Sequence, residues 1–156
     1  MSESENSRIE MESGATAWHP IMLGSTDVGR GTNIGSMSHI GKNVKIGKDC
    51  RIQGSVYIAD GCSIGNNVFI GPGATITNDR YPPSGGQWSP VIVEDDVIIG
   101  ANATIIAGII LNKGCVIAAG AVVTKEIPSY EVWAGNPASC LMLSLIHISE
   151  PTRRPI

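Results

Sequence analysis

The sequence predicts an all-β protein, a parallel β-helix with one loop that leaves it near residues 77–92. Aliphatic residues recur every six positions from Val28 to Ile76, and again from Val93 to Val123. A period of six fits neither an α-helix nor a coiled coil, whereas it is the repeat of parallel β-helix coils. The two runs are out of phase, because Ile76 and Val93 lie seventeen residues apart. The segment between them must therefore loop out.

Each hexapeptide supplies one short strand and one turn, and three of them close a triangular coil. About sixteen hexapeptides, the first starting at Met22, predict about five coils stacked about 4.8 Å apart. A small or medium-sized residue four places after each aliphatic residue also points inward, and a Gly or Asn eases the corner. Cys50, Cys62 and Cys115 fall on this inward position, where cysteine packs as a small hydrophobe. No paired C-x-x-C spacing indicates zinc.

The two ends of the chain lack the repeat. Residues 1–18 are polar and acidic, which predicts a disordered lead-in. The repeat domain is expected over residues 19–138, and residues 139–156 form a non-repeat tail. From about Leu143 this tail, LSLIHISEPTRRPI, resembles the in-frame translation of a sequencing-library adapter, and we expect it to be non-native.

Composition fits one domain and excludes two classes of partner. The chain has 156 residues and a formal net charge of −3, which argues against non-specific nucleic-acid binding. It contains no apolar run of about 18 residues and no secretory signal. We therefore expect a cytoplasmic protein with no membrane span.

Several motifs lie in order along the repeat. They are TNIGSMSHI at residues 32–40, IQ at 52–53, TNDRYP at 77–82, IGANATI at 99–105, GAVVTKEIP at 120–128 and GNPA at 135–138. Together they resemble the left-handed β-helix hexapeptide-repeat acyltransferases, over roughly residues 19–138. TNDRYP is similar to the extruded-loop signature of the branch that N-acetylates nucleotide-linked 3-amino sugars. The resemblance implies the left hand, a homotrimer with active sites between the prisms, and acetyl-coenzyme A as co-substrate without a permanently bound cofactor.

The sequence departs from that branch at two places. Gly35, Ser36 and Met37 stand where the branch has W-H-F, so the first His of its motif is missing. Gly54 and Ser55 stand where it has two Asn. The acceptor pocket is therefore not guaranteed to hold the same sugar.

The resemblance implies roles at the extruded loop, each with a structural alternative. Asn78 would hold the acceptor amine near the thioester, or form a turn. Asp79 would receive the amine proton, or cap the turn. His39 is the remaining His base, or a structural corner residue.

The acceptor would also meet four other side chains. Arg80 would bind the nucleotide diphosphate with its fork of donors, or remain a solvated surface Arg. Tyr81 stiffens the loop together with the two prolines after it, and Trp88 covers a sugar or base, or packs the loop. Gln53 matches the Gln of the branch's I-Q-N-N motif.

The acyl donor is expected higher on the prism. Gly100 stacks below Ala118, and Ala101 below Ala119, because eighteen residues make one coil. Such small side chains let a pantetheine arm run close to the backbone, or simply pack tightly at corners. Lys125, expected above Ala107 at the upper end, would meet the phosphates, or stay an exposed Lys.

We expect an acyl-coenzyme A-dependent N-acyltransferase acting on a nucleotide-linked amino sugar, for surface polysaccharide or glycan precursor synthesis. An amine needs less from a base than a hydroxyl does, so such an enzyme works mainly by positioning. A sugar O-acetyltransferase of this fold is the first alternative, although the N-x-x-H loop pattern of its His base is absent. A non-catalytic trimeric binding module is the second. A γ-type carbonic anhydrase requires three His for zinc, and only His19 and His39 lie outside the tail, so no metal is predicted.

Overall fold

The computed structural model describes residues 7–25 and 27–144, and the secondary structure there consists of nineteen strands. In chain order they are β1 Arg8–Glu10, β2 Thr16–Trp18, β3 Met22–Leu23, β4 Asn33–Ile34, β5 His39–Ile40, β6 Lys45–Ile46, β7 Arg51–Ile52, β8 Tyr57–Ile58, β9 Ser63–Ile64, β10 Phe69–Ile70, β11 Thr75–Ile76, β12 Ile92–Val93, β13 Ile98–Ile99, β14 Thr104–Ile105, β15 Ile110–Leu111, β16 Val116–Ile117, β17 Val122–Val123, β18 Glu131–Gly135 and β19 Ala138–Leu143. Within these ranges no helix is long and apolar enough to cross a membrane.

The strands stack into three parallel sheets, which are the three faces of a prism. Face 1 contains β2, β4, β7, β10, β13, β16 and β18; face 2 contains β3, β5, β8, β11, β14 and β17; face 3 contains β6, β9, β12 and β15. Isolated bridges at Val28 and Ile127 extend face 3 at its two ends. The predicted parallel β-helix is therefore confirmed, with about six coils rather than five, because face 2 is six strands deep.

The repeated aliphatic residues form the core. Ile34, Ile52, Ile70, Ile99 and Ile117 pair in register up face 1, and each is buried. Full burial of such a side chain stabilises the fold by about 1.5–3 kcal/mol. The other residue of each two-residue strand points outward and is solvent-facing or half-buried. Successive side chains of a strand point to opposite faces, so only one of the two can enter the core.

The predicted Gly or Asn does ease each corner with a positive φ, but it is not the Gly directly after the inward aliphatic residue. Gly directly after the inward aliphatic residue keeps ordinary φ, but a Cβ on Gly71 would lie 2.5 Å from the amide nitrogen of Ala101 in the next coil. The left-handed residue is the one two places further on, as at Asn43 (φ 56°) and Asn102 (φ 57°). Glycine directly after the aliphatic residue therefore allows the coils to approach closely. Gly or Asn two places further on allows the positive φ of the corner.

The prediction of a disordered lead-in is wrong for residues 7–18. β1 and β2 form an antiparallel hairpin, and β2 pairs in parallel with β4, so that Ala17 is fully buried beneath Ile34. This hairpin closes the first end of the core without hexapeptide spacing, which is why the repeat did not reveal it. Residues 1–6 lie outside the described residues.

A second hairpin, β18–β19, closes the other end. Trp133 of β18 pairs with Ile117 and is 8% exposed, so its ring covers the last inward position. The non-repeat tail therefore begins as β19, which ends at Leu143. The segment predicted to be non-native lies, from residue 145 on, outside the described residues.

Three core thiols occupy the inward small position, as predicted. Cys50, Cys62 and Cys115 are fully buried. Burial raises the pKa of the Cys115 thiol to about 12 from its ordinary 9.0, with smaller contributions from the nearby carboxylates of Glu94 and Glu131. Ionisation of this thiol therefore favours the unfolded chain.

Substituting Gly71 by Ala should lower the free energy of unfolding by about 1–3 kcal/mol, because the added methyl forces two coils apart. The matched control is Gly120→Asn, at a corner where nothing lies within 4 Å of a Cβ and where Asn102 occupies the same place one coil below. Urea unfolding of both variants checks this. Equal losses for the two substitutions would contradict the close-approach explanation.

The buried Cys115 thiol should make stability fall at alkaline pH. Its contribution is complete below the unfolded-state pKa of 9.0 and declines as pH rises toward the folded value of about 12. From pH 8 to pH 10 the wild type should lose about 1.4 kcal/mol more stability than Cys115→Val, whose side chain matches Val97 one coil below. Parallel stability curves for the two proteins would rule this out.

Candidate functional site

The extruded loop leaves and rejoins the prism at the edge between face 2 and face 3, which we call edge 2–3. The sequence distance between stacked coils is 18 residues before the loop and 29 across it. The loop's neck is held on both sides. Towards the coil below, the Asn78 side-chain amide donates to the carbonyl oxygen of Asp60 (3.0 Å). Between the two limbs of the neck, the Ser89 N–H donates to the Asn78 carbonyl (2.6 Å). From above, the Gly108 N–H donates to the Ser89 carbonyl (2.7 Å).

The Asn78 side chain thus takes part in the neck through its amide nitrogen. Its side chain is half-buried, and its amide nitrogen is engaged with backbone.

Asp79 and Ser84 form the interior of the loop. The carboxylate oxygen Oδ2 of Asp79 accepts a hydrogen bond from the Ser84 N–H (3.0 Å). The other carboxylate oxygen and the Ser84 hydroxyl are buried and make no hydrogen bond within the described residues. Buried polar atoms normally have partners, so this pair is chemically competent to receive a proton or a polar ligand group.

The outer surface of the loop forms a groove of about 640 Å³. It is lined by Arg80, Tyr81, Ser84, Gln87, Trp88 and Ser89. One nitrogen of the Arg80 guanidinium donates to the Ala107 carbonyl (3.3 Å), and this hydrogen bond attaches the guanidinium to the prism. Tyr81 and Trp88 are 81% and 51% exposed, so the groove offers a cation and two aromatic rings to a ligand.

One alternative for His39 was a structural corner residue, and this is wrong, because His39 lies within a strand. It lies on the outer side of β5 on face 2, where its ring stacks on Tyr57 of the next coil with centroids 5.0 Å apart. It also lines a shallow groove with Met22 and Met37. The strand β11, which leads into the loop, is two coils above β5 on the same face.

The small residues predicted to hold the acyl donor do stack, at the edge between face 1 and face 2, which we call edge 1–2. A Cβ on Gly100 would collide with the amide nitrogen of Ala119, and the Gly120 N–H donates to the Ala101 carbonyl (2.8 Å). Ala101 and Ala118 are half-buried and Ala119 is exposed. The result is a strip of backbone without large side chains.

Lys125 does not lie above this strip. Successive hexapeptides occupy successive edges, so Lys125, six residues after Ala119, belongs to edge 2–3 with Ala107. Its ammonium lies 5.4 Å from the centroid of the Trp133 ring. The sequence placed Lys125 above Ala107, and both follow strands of face 2. The last turn at this edge is two residues shorter, because Ile105 pairs with Val123 but Leu111 pairs with Ile127.

Gln53 directly follows β7 at edge 1–2, two coils below Gly100, and lies apart from the loop. It lines a polar groove of about 550 Å³ with Gly31, Asn33, Asp49, Arg51 and Asn67. Within one chain the structure therefore does not unite Gln53 with Arg80 or Trp88.

Face 2 is the surface on which the other predicted residues converge. It is bounded on one side by the loop at edge 2–3 and on the other by the small-residue strip at edge 1–2. His39 and Tyr57 stand between them. Tyr57 was missed, although its position eighteen residues after His39 places it in the same column; Asp60, eighteen residues before Asn78, was missed in the same way.

Within residues 7–25 and 27–144, no group of three or more His, Cys, Asp and Glu side chains could hold a metal ion. The chemistry of this surface is that of hydrogen-bonding groups, one guanidinium and aromatic rings.

Two family models match the chain. One, described as bacterial transferase hexapeptide (six repeats), matches residues 43–78. The other, hexapeptide repeat of succinyl-transferase, matches residues 25–60 and 90–125. Both matches leave out the body of the extruded loop.

Known relatives agree with these matches. A 2,3,4,5-tetrahydropyridine-2,6-dicarboxylate N-acetyltransferase of Staphylococcus aureus (strain JH9) is 53% identical over 60 residues, which are 38% of this chain and 24% of the relative. The chain thus spans about a quarter of the length of such curated relatives.

Two solved structures have the same fold. A hexapeptide-repeat-containing acetyltransferase from Vibrio cholerae O1 biovar eltor, complexed with acetyl coenzyme A, is 26% identical with a TM-score of 0.60, over 83% of this chain and 70% of that one. PerB from Caulobacter crescentus, in complex with CoA and GDP-perosamine, is 18% identical with a TM-score of 0.61, over 84% and 56% of the two chains.

Proposed function

Because this chain belongs to the hexapeptide-repeat acyltransferase family, we propose that it transfers an acetyl group from acetyl-coenzyme A to the amine of a nucleotide-linked amino sugar. The observation that carries the proposal is the loop groove, which places Arg80 beside the exposed rings of Tyr81 and Trp88. A diphosphate requires a guanidinium fork, and a sugar or base requires an aromatic surface. The Vibrio cholerae acetyltransferase supports the choice of donor.

The donor would lie along the small-residue strip at edge 1–2. Gly100, Ala101, Ala118 and Ala119 leave the backbone open to an extended pantetheine arm, which fits the exposure of this edge. Lys125 is not part of this strip, since its ammonium is packed on Trp133 at another edge.

The acceptor amine attacks the thioester carbonyl, so that a C–N bond forms, the C–S bond breaks and coenzyme A leaves as the thiol. The amine loses one proton in this step, and the group that receives it passes it on to the departing sulfur. Asp79 is the proposed recipient, because its second carboxylate oxygen is buried without a protein partner and it contacts Ser84, which lines the groove. His39, two coils below on face 2, is the alternative base.

The grooves at the loop and beside His39 are open on the surface of the single prism, so we propose that neighbouring prisms of a homotrimer complete the site. A cytoplasmic location is proposed with it. A carboxylated cyclic acceptor is the second candidate, on the strength of the name of the Staphylococcus aureus relatives.

Wild-type protein should release free thiol from acetyl-coenzyme A when supplied with a nucleotide-linked 3-amino or 4-amino sugar. The matched controls are the same nucleotide sugars with a hydroxyl in place of the amine, and tetrahydropyridine dicarboxylate. Product resistance to mild alkali identifies an amide rather than an ester. Release only with the hydroxyl sugars or only with the dicarboxylate would overturn the proposed acceptor.

Replacing Trp88 by Ala should raise the KM for the nucleotide sugar about fivefold and leave the KM for acetyl-coenzyme A unchanged, because a stacked ring contributes about 1 kcal/mol. Trp18→Ala is the control, since that indole donates to Asn33 on face 1, away from the loop. Initial rates at varied concentrations of each substrate separate the two constants. A rise in the KM for acetyl-coenzyme A would place Trp88 at the donor instead.

A further inference from the structure

Cys62 occupies the inward position directly beneath the neck of the loop. Its sulfur accepts a hydrogen bond from the Val91 N–H (3.3 Å) and donates to the Thr77 carbonyl (3.8 Å). Thr77 is the first residue after β11, and Val91 is the residue before β12. One buried side chain therefore touches both ends of the loop.

The same device occurs elsewhere in the prism between regular coils. The Thr32 hydroxyl accepts from the Cys50 N–H (3.0 Å) and donates to the Gly47 carbonyl (2.7 Å). Ser38 does the same with Val56 and Gln53. In those cases the bridged residues are three apart in sequence, whereas the residues bridged by Cys62 are separated by the whole loop.

The thiol is in the protonation state that this bridge needs. Burial raises the pKa of Cys62, and the nearby Asp60 carboxylate raises it further against the opposing hydrogen bond from Val91. The group stays protonated near neutral pH, so S–H donates to Thr77 while the sulfur accepts from Val91. Both capacities of the thiol are used inside the neck.

We propose that Cys62 is a positioning residue for the acceptor loop, whose thiol clasps the two ends of the loop and thereby holds Arg80, Tyr81 and Trp88 in place. The expected effect of Cys62 on substrate binding rests on the proposed function, whereas the clasp itself is a property of the loop. The Asn78 amide bonded to Asp60 is the outer half of the same neck.

The chain contains a built-in reporter of loop opening. Arg80 is the only Lys or Arg between Arg51 and Lys113, so trypsin cleavage at Arg80 yields a fragment that begins at Tyr81. Cleavage of a held loop requires local opening, and its rate follows the population of the open form. Mass spectrometry of this fragment measures the rate.

Cys62→Val is the decisive variant, because Val44 occupies the same position one coil below and the volume is kept. Cys50→Val is its matched control, since Cys50 is equally buried, has Val68 one coil above, and bridges regular coils only. We expect cleavage at Arg80 to accelerate about fivefold in Cys62→Val and to be unchanged in Cys50→Val, the effect of about one hydrogen bond. Cys62→Ser, which keeps a donor and an acceptor, should restore most of the protection.

Kinetics provide a second readout. The KM for the nucleotide sugar should rise severalfold in Cys62→Val, while the KM for acetyl-coenzyme A stays at the wild-type value. A cleavage rate in Cys62→Val equal to that of the wild type would overturn the clasp. Equal acceleration in Cys62→Val and Cys50→Val would overturn it as well. If the wild type transfers acetyl to no acceptor, the proposed function fails, and the cleavage rates still decide the role of Cys62.

Discussion

Register between coils is the constraint on which the rest of this molecule depends. Each coil contributes one inward aliphatic residue per face and bonds its backbone to the coil above, so coils lie about 4.8 Å apart. The collision that a Cβ on Gly71 would make with Ala101 shows how little space remains at the corners. A prism built this way has a filled interior and nearly flat faces. Chemistry is therefore confined to its edges, its outward columns and the one segment that escapes the repeat.

The loop at edge 2–3 relieves this constraint locally, and the neck restores it. Thr77 and Val91 rejoin the regular stack, and the coils below and above supply the bonds that close the gap. Fifteen residues without strand pairing lose considerable conformational entropy on ordering. The neck confines the irregular backbone to the loop and leaves the core coils regular. The proposed ligand surface is thus carried on a loop that a rigid prism holds in place.

Much of this could be predicted from the sequence, because period six and its break are direct consequences of the coil geometry. The inward roles of Ile34 or Cys62 follow from position alone. Edge assignment follows from the eighteen-residue spacing, which places Lys125 with Ala107 at edge 2–3, although the shortened last turn between Val123 and Ile127 could not be predicted. The β1–β2 hairpin could not be predicted, since an end cap needs only one buried face and carries no repeat. Nor could the engagement of the Asn78 amide, which depends on the orientation of a single carbonyl at Asp60.

The boundaries of the family matches coincide with the neck, and this bears on how specificity is encoded. The matched segments end at residue 78 and resume at residue 90, so the pattern shared with other hexapeptide-repeat transferases stops where the groove begins. The core coils repeat because they pack directly on one another, whereas the groove side chains of Tyr81 and Trp88 are largely exposed. The groove can therefore differ in shape and charge without any change to the prism that carries it. What must be kept in each is a neck that returns the chain to register, and in this chain that requirement falls on Asn78 and Cys62.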